Sequence, residues 1–127
     1  RLVEASDEPA ETSAAGRAAL ARYASLFNAR DWDGVRALVS EDCQLDLVSK
    51  SQRRGKHVAA YFGRYERENV ALRVVRLDGQ LALAACPEGA SEPAYFILLA
   101  WRDELVTSIR DFRYVPYIAA EAIVEDV

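Results

Sequence analysis

The sequence predicts an α+β fold, with three helices in the first half packed on a curved, mostly antiparallel sheet. Two patterns predict it. Apolar residues recur every three or four positions over 15–27, 32–39 and 56–66, as they do on one face of a helix. From residue 70 onward, apolar or alternating runs at 70–77, 80–86, 94–101 and 105–114 are separated by turn formers, as in successive hairpins. Helices segregated from hairpins pack on one side of an antiparallel sheet. The 127 residues are 51% hydrophobic and 28% charged, which suffices for one core without metal or disulfide support. That apolar content also excludes disorder for the bulk of the chain. No apolar run approaches the roughly 18 residues of a membrane helix, and no secretory leader opens the sequence.

The elements follow in order. Residues 1–12 are acidic and aperiodic and read as a linker or disordered arm, leaving 13–127 as one domain. Thr12 or Ser13 is a candidate N-cap for the first helix. Its core face holds Leu20, Tyr23, Ala24 and Phe27, and Asn28 is placed to stop it. Asp31 caps a short second helix, on which Trp32, Val35, Leu38 and Val39 share a face. From Cys43 to Val48 the pattern alternates as a strand does. Cys43, Leu45 and Leu47 face one way; Gln44, Asp46 and Val48 face the other. Residues 49–55 read as a polar, basic loop. The third helix, 56–66, presents Val58, Tyr61, Phe62 and Tyr65. Asp78-Gly79 marks a hairpin between the next two strands. The run at 94–101 is almost unbroken in its apolar character and is expected to be covered on both faces. A turn at 102–104 leads to the last strand, and 116–124 is expected to form a short helix over the sheet.

The net charge of −4 conceals an asymmetry. Each end, 1–12 and 121–127, carries three net negative charges, so the middle is mildly basic at +2. Its basic residues gather at Lys50, Arg53, Arg54 and Lys56, a solvated loop or an anion-facing cluster. The overall acidity argues against direct nucleic-acid binding. Cys43 and Cys86 lack metal-ligand spacing and read as free thiols in a reducing cytoplasm. No phosphate loop, nucleophile triad or metal constellation is present, and no cofactor is called for. The last strand places Ile109, Asp111 and Arg113 on one face and Arg110, Phe112 and Tyr114 on the other. Arg110, Asp111, Arg113 and Tyr114 are therefore candidates either for docking a partner or for holding a polar ligand.

The stretch RYASLFNARDWDGVRALVSEDCQLDLV resembles the opening of the NTF2-like, SnoaL-like superfamily, in which a helix ending at F-N precedes a short D-x-D-G helix and the first strand. The resemblance implies a cone-shaped sheet with an internal pocket. It places Tyr23, Phe27, Trp32 and Leu47, with Tyr61, Phe62, Tyr95 and Trp101, around that interior, as core or as the lining of a small apolar ligand site. It also implies a possible homodimer through paired sheets. A narrower likeness exists. DLVSKSQRRGKHVAAYFGRY, VRLDG and PAYFILLAWRDELVTSIRDFRY resemble the C-terminal SnoaL-like extension of bacterial extracytoplasmic-function sigma factors. That implies a cytoplasmic regulatory module whose partners are the sigma core or RNA polymerase. The start at Arg1 and the absence of Met agree with a module cut from a longer protein.

Enzymes of the superfamily give the contrasting expectation. Similarity to the ketosteroid-isomerase branch places Tyr23 as oxyanion donor. It sets Leu47 where that branch has its base and Ile97 near its second acid, so two of three roles fall on hydrocarbon. Asp46 is a substitute base only if its face lines the pocket. His57 is a weaker acid–base candidate at the start of the third helix. An isomerase, dehydratase or polyketide cyclase is thus the alternative to a non-catalytic module, and a stand-alone ligand-binding dimer is a third reading.

Overall fold

The computed structural model describes residues 8–9, 14–48, 51–54, 57–90, 92–114 and 124–126. The chain runs β1 (Glu8–Pro9), α1 (Ala14–Asn28), α2 (Trp32–Ala37), β2 (Val39–Leu47), β3 (Ser51–Arg54), α3 (His57–Tyr65), β4 (Val70–Leu77), β5 (Gln80–Pro87), β6 (Tyr95–Arg102), β7 (Leu105–Asp111) and β8 (Val124–Asp126). The sheet order is β3-β2-β7-β6-β5-β4-β8, with β1 pairing β6. Every pairing is antiparallel except β2 with β7. The predicted α+β class holds: helices pack on a curved, unclosed mixed sheet.

Local chemistry accounts for the elements. Asp31 caps α2 by accepting the Gly34 N–H at 3.0 Å. A Cβ at Gly34 would come 2.6 Å from Asp31 Oδ2, so a larger residue there would push the capping side chain aside. Asp78 and Gly79 both take positive φ, 50° and 84°, as a two-residue hairpin turn between β4 and β5 demands. Asn28 does more than end α1. Its side chain accepts the Leu72 N–H at 2.7 Å and donates to the Leu72 carbonyl at 2.9 Å, clamping the helix to β4.

The main core lies between the helices and one face of the sheet. Leu20, Tyr23, Phe27 and Phe62 from the helices meet Leu45, Leu83, Ile97 and Ile109 from the strands. Val75, Ala82, Ala84 and Phe96 form a second buried cluster on the opposite face, so β5 and β6 are covered on both sides, as the apolar run of β6 predicts.

Four expectations change. Residues 51–54 are not loop but an edge strand, pairing Leu47 with Ser51 through Gln44 with Arg54. The first long strand begins at Val39 rather than Cys43, with an irregularity between Val39 and Gln44 that breaks the alternation. The last strand ends at Asp111, so Phe112–Tyr114 leave the sheet in a turn. Within the segment read as a linker, Glu8–Pro9 lie against Trp101 and Ala100. The candidate caps Thr12 and Ser13 fall outside the described residues, as does the expected tail helix apart from Val124, which opens β8. No helix among the described residues is long and apolar enough to cross a membrane.

Candidate functional site: a buried tyrosine–aspartate network under a small cleft

Asp111 ends β7 facing the core and is wholly buried. A buried carboxylate is costly unless its lone pairs are filled. Helix α3 fills them. Tyr61 and Tyr65 sit one turn apart, so both hydroxyls reach the same side of the helix. Each donates to Asp111 Oδ2 at 2.7 Å. The other oxygen, Oδ1, accepts the Arg113 backbone N–H at 2.9 Å.

The network extends outward in a fixed direction. Tyr65 Oη is also hydrogen-bonded to Tyr95 Oη. A hydroxyl has one proton, and Tyr65 gives its own to Asp111, so Tyr95 donates to Tyr65. Tyr95 in turn accepts from Arg113 Nη2 at 3.1 Å. Arg113 thus begins the chain with its guanidinium and closes it with its backbone N–H. The guanidinium lies 4.6 Å from the Tyr65 ring centroid and 5.5 Å from that of Tyr95. Glu68 grips it from outside, at 2.6 Å to Nη2 and 3.1 Å to Nη1. Arg64 adds a second cation, 3.8 Å from Glu68, and donates to Tyr114 Oη at 2.6 Å.

The electrostatics follow from burial. Desolvation, reinforced by the Asp111 charge, pushes the Tyr61 and Tyr65 hydroxyls well above the ordinary tyrosine range. Burial likewise raises Tyr95. Tyr23 is raised by burial and then by Cys43 and Asp111. Burial works against the Arg113 charge, but Glu68 and the two adjacent tyrosines outweigh it and hold the guanidinium protonated.

A cleft of about 100 Å³ opens beside this network. Leu45, Leu47 and Ala60 give it a hydrocarbon wall; Tyr61, Tyr65, Arg64 and Arg113 give it a polar end. A separate groove of about 500 Å³ lies against α1 between Ala15, Ala18 and Arg22, with Trp101 and Glu104 opposite.

The residues singled out in the sequence are distributed as follows. Leu47 and Tyr61 face the cleft. Tyr23, Phe27 and Phe62 are at most 1% exposed and fill the core, where Phe27 meets Trp32 edge to face at 5.0 Å. Tyr95 joins the network and Trp101 borders the separate groove. Asp46 is on the sheet's other face, 3.6 Å from Arg110, so Tyr23 and Asp46 do not converge. Arg110 also lies over the Phe112 ring at 5.2 Å. The His57 side chain lies outside the described residues, as do those of Arg53 and Arg54 and the whole of Lys50 and Lys56. Leu47 and Ile97 leave their positions without an ionisable group, yet Ile97 pairs directly across to Asp111. A carboxylate does stand late in the sheet, one strand over.

Tyr65, Glu68 and Arg64 were missed as site residues. Tyr65 reads as one more apolar-face aromatic, and Arg64–Glu68 as an ordinary helical ion pair. The available signal was the Tyr61–Tyr65 spacing of four residues, which sets two hydroxyls side by side above any acid facing that helix. Among the described residues no group of His, Cys, Asp and Glu could hold a metal ion.

No family model and no curated protein matches the chain. Solved structures do. Bal32a, from a soil-derived mobile gene cassette, is 19% identical, with a TM-score of 0.57 over 79% of this chain and 89% of its own. A candidate ketosteroid isomerase from Kribbella flavida is 22% identical, with a TM-score of 0.56 over 76% and 75%. SalBIII, an epoxide hydrolase/cyclase-like enzyme with a role in pyran ring formation in the polyether salinomycin, is 21% identical, with a TM-score of 0.56 over 75% and 87%. The chain therefore has the NTF2-like fold. Proteins described as isomerases and cyclases share that fold, and at these identities the likeness extends to the fold alone.

Proposed function

We propose that this chain is a non-catalytic regulatory domain, the SnoaL-like extension of a sigma factor. It modulates transcription initiation through contacts with the sigma core or RNA polymerase, and the cleft gives it a place for a small ligand. This reading puts it in the cytoplasm. The observation that carries its non-catalytic half is the state of Asp111. Among the described residues it is the one fully buried carboxylate, and both its oxygens are occupied by donors from within the chain. A general base must have a lone pair within reach of the substrate proton. Leu47, at the position of the isomerase base, has none, and Asp46 faces away. The regulatory half rests on the sequence likeness to sigma-factor extensions. The exposed Arg110 and the half-buried Tyr114 provide candidate docking positions.

Transcription by the parent sigma factor, reconstituted with polymerase and cut ahead of Arg1, tests it. A several-fold change in initiation relative to the intact protein is expected. Equal initiation by both forms overturns the regulatory role.

The enzymatic reading keeps one observation in its favour. Tyr61 lines the cleft, and its O–H, which is given to Asp111 here, would serve an oxyanion there by turning from that carboxylate. Isomerisation of a β,γ-unsaturated ketone by the chain, lost in Tyr61→Phe, would replace the non-catalytic reading. A second copy pairing through the sheet is the homodimer reading, and light scattering at twice the chain mass would support it.

A further inference from the structure

We propose that the cleft binds a small apolar carboxylate, whose head group displaces Glu68 from the Arg113 guanidinium. The proposal deepens the regulatory reading, resting on it only for what binding would control.

The cleft dictates both halves of the ligand. A volume of about 100 Å³ admits a molecule of a few carbon atoms or a single ring. The walls made by Leu45, Leu47 and Ala60 offer nothing to hydrogen-bond, so the body of the ligand is hydrocarbon. At the other end stand two guanidinium groups, Arg64 and Arg113. Their charge is answered unequally. Asp111 is committed to two phenols and a backbone N–H. That leaves the single carboxylate of Glu68 between the two cations, 2.6 Å from Arg113 and 3.8 Å from Arg64.

Arg113 is the anchor. Its side chain is only 10% exposed, so it contributes a largely desolvated cation held on the Tyr65 and Tyr95 rings. Its Nε is buried and has no hydrogen-bond partner among the described residues, so Glu68 leaves part of the guanidinium's donor capacity unused. Glu68 already demonstrates the chemistry, since it meets the guanidinium with both carboxylate oxygens, one on each terminal nitrogen. It is also the displaceable member. Its side chain is 32% exposed, so water already reaches it and can take over its hydrogen bonds when it leaves Arg113. It follows the end of α3 in a bend, where its backbone N–H bonds the Tyr65 carbonyl at 3.1 Å. Glu68 thus acts as an intramolecular stand-in that an external carboxylate must outcompete. Exchange would release one link between the end of α3 and the turn after β7, leaving the Arg64–Tyr114 hydrogen bond in place.

Benzoate titrated into the full chain, followed by amide chemical shifts, tests this. Saturable shifts at β2 near Leu47, at α3 and at 111–114 are expected. Benzamide, of the same shape without the charge, should bind at least about tenfold more weakly. Glu68→Gln removes the competitor and should tighten benzoate about fivefold or more. Leu47→Trp, which fills the cleft, should abolish the shifts. Equal binding of benzamide, or no gain in Glu68→Gln, overturns the proposal, as does the lack of a saturable shift in that variant. The outcomes separate from those of the regulatory reading. An effect of truncation on initiation without benzoate binding removes only the carboxylate site. Benzoate binding without a truncation effect leaves the site and removes the regulatory role.

Discussion

The worth of a side chain in this protein depends on how many partners it serves at once. Tyr65 serves the most. It gives its proton to Asp111, accepts one from Tyr95, and stacks under the Arg113 guanidinium. In Tyr65→Phe the ring packing survives, but Tyr95 loses its acceptor and Asp111 Oδ2 keeps only Tyr61. Hydrogen bonds to a buried charge contribute about 1.5–3 kcal/mol, and a loss of that size is expected in urea unfolding. Tyr61→Phe removes one bond and strands no second hydroxyl, so its cost should be the smaller. A double-mutant cycle of Tyr65→Phe with Tyr95→Phe should show a coupling of about 1 kcal/mol or more; additive losses would show the chain to be independent pairs. This part of the site was half legible in the sequence. Alternation along the last strand put Asp111 and Arg113 on one face, and they do meet in one network. The complete burial of Asp111 is not legible in that way, because period-two reasoning gives a face but not whether that face is the core. Asp46 illustrates the reverse case, where the same alternation correctly set it opposite Leu45 and Leu47.

At the scale of elements, sequence patterns located what is apolar and missed what is held by backbone pairing alone. β3 is made of Ser51, Gln52, Arg53 and Arg54, without one apolar residue. It lies at the end of the sheet order, where charged residues are tolerated and discourage further strand addition. Nothing in its composition distinguishes it from a solvated loop. The beginning of β2 was lost for a related reason, since exposed Glu41 and Asp42 interrupt the alternation at the irregularity. Asn28 shows a residue correctly noticed and given too small a role. Its position signals a helix stop, and in the fold it is a two-bond clamp between α1 and β4, presenting both a donor and an acceptor to the Leu72 peptide. Asn28→Ala should therefore cost about 1–2 kcal/mol, more than loss of a terminal helix residue would suggest. Asn28→Asp retains the acceptor for the Leu72 N–H but sets a charge against the Leu72 carbonyl, and should be no better than alanine. Urea midpoints of the two variants decide this. A midpoint for Asn28→Ala within error of the parent would mean that the helix packs on β4 through its apolar face alone.

The molecule as a whole combines an open sheet with tyrosines concentrated where helix and sheet meet. Tyr23, Tyr61, Tyr65 and Tyr95 are all at most 7% exposed. In each, burial is the first cause raising the hydroxyl above its ordinary value. That fixes how stability depends on alkaline pH. Below the ordinary tyrosine pKa of about 10 the hydroxyls are protonated in both folded and unfolded chains, so they add no pH dependence. Above it the unfolded chain releases these protons while the folded chain retains them. The unfolded state then binds fewer protons than the native one, so stability falls as pH rises. Each group contributes a slope of about 1.4 kcal/mol per pH unit once its unfolded form is ionised. Four together give roughly 5 kcal/mol per unit, comparable to the whole stability of a small domain. The chain should therefore be flat in urea stability from pH 8 to just below 10 and unfold cooperatively within the next one to two units. Tyrosinate absorbance should rise together with the loss of far-UV signal, because these hydroxyls ionise only when the fold opens. Tyr61→Phe should reduce the slope by about a quarter, an effect separate from its cost at neutral pH. Tyrosinate appearing well before unfolding, in proportion to all four groups, would place those hydroxyls in contact with solvent. It would remove the closed interior on which the non-catalytic reading depends.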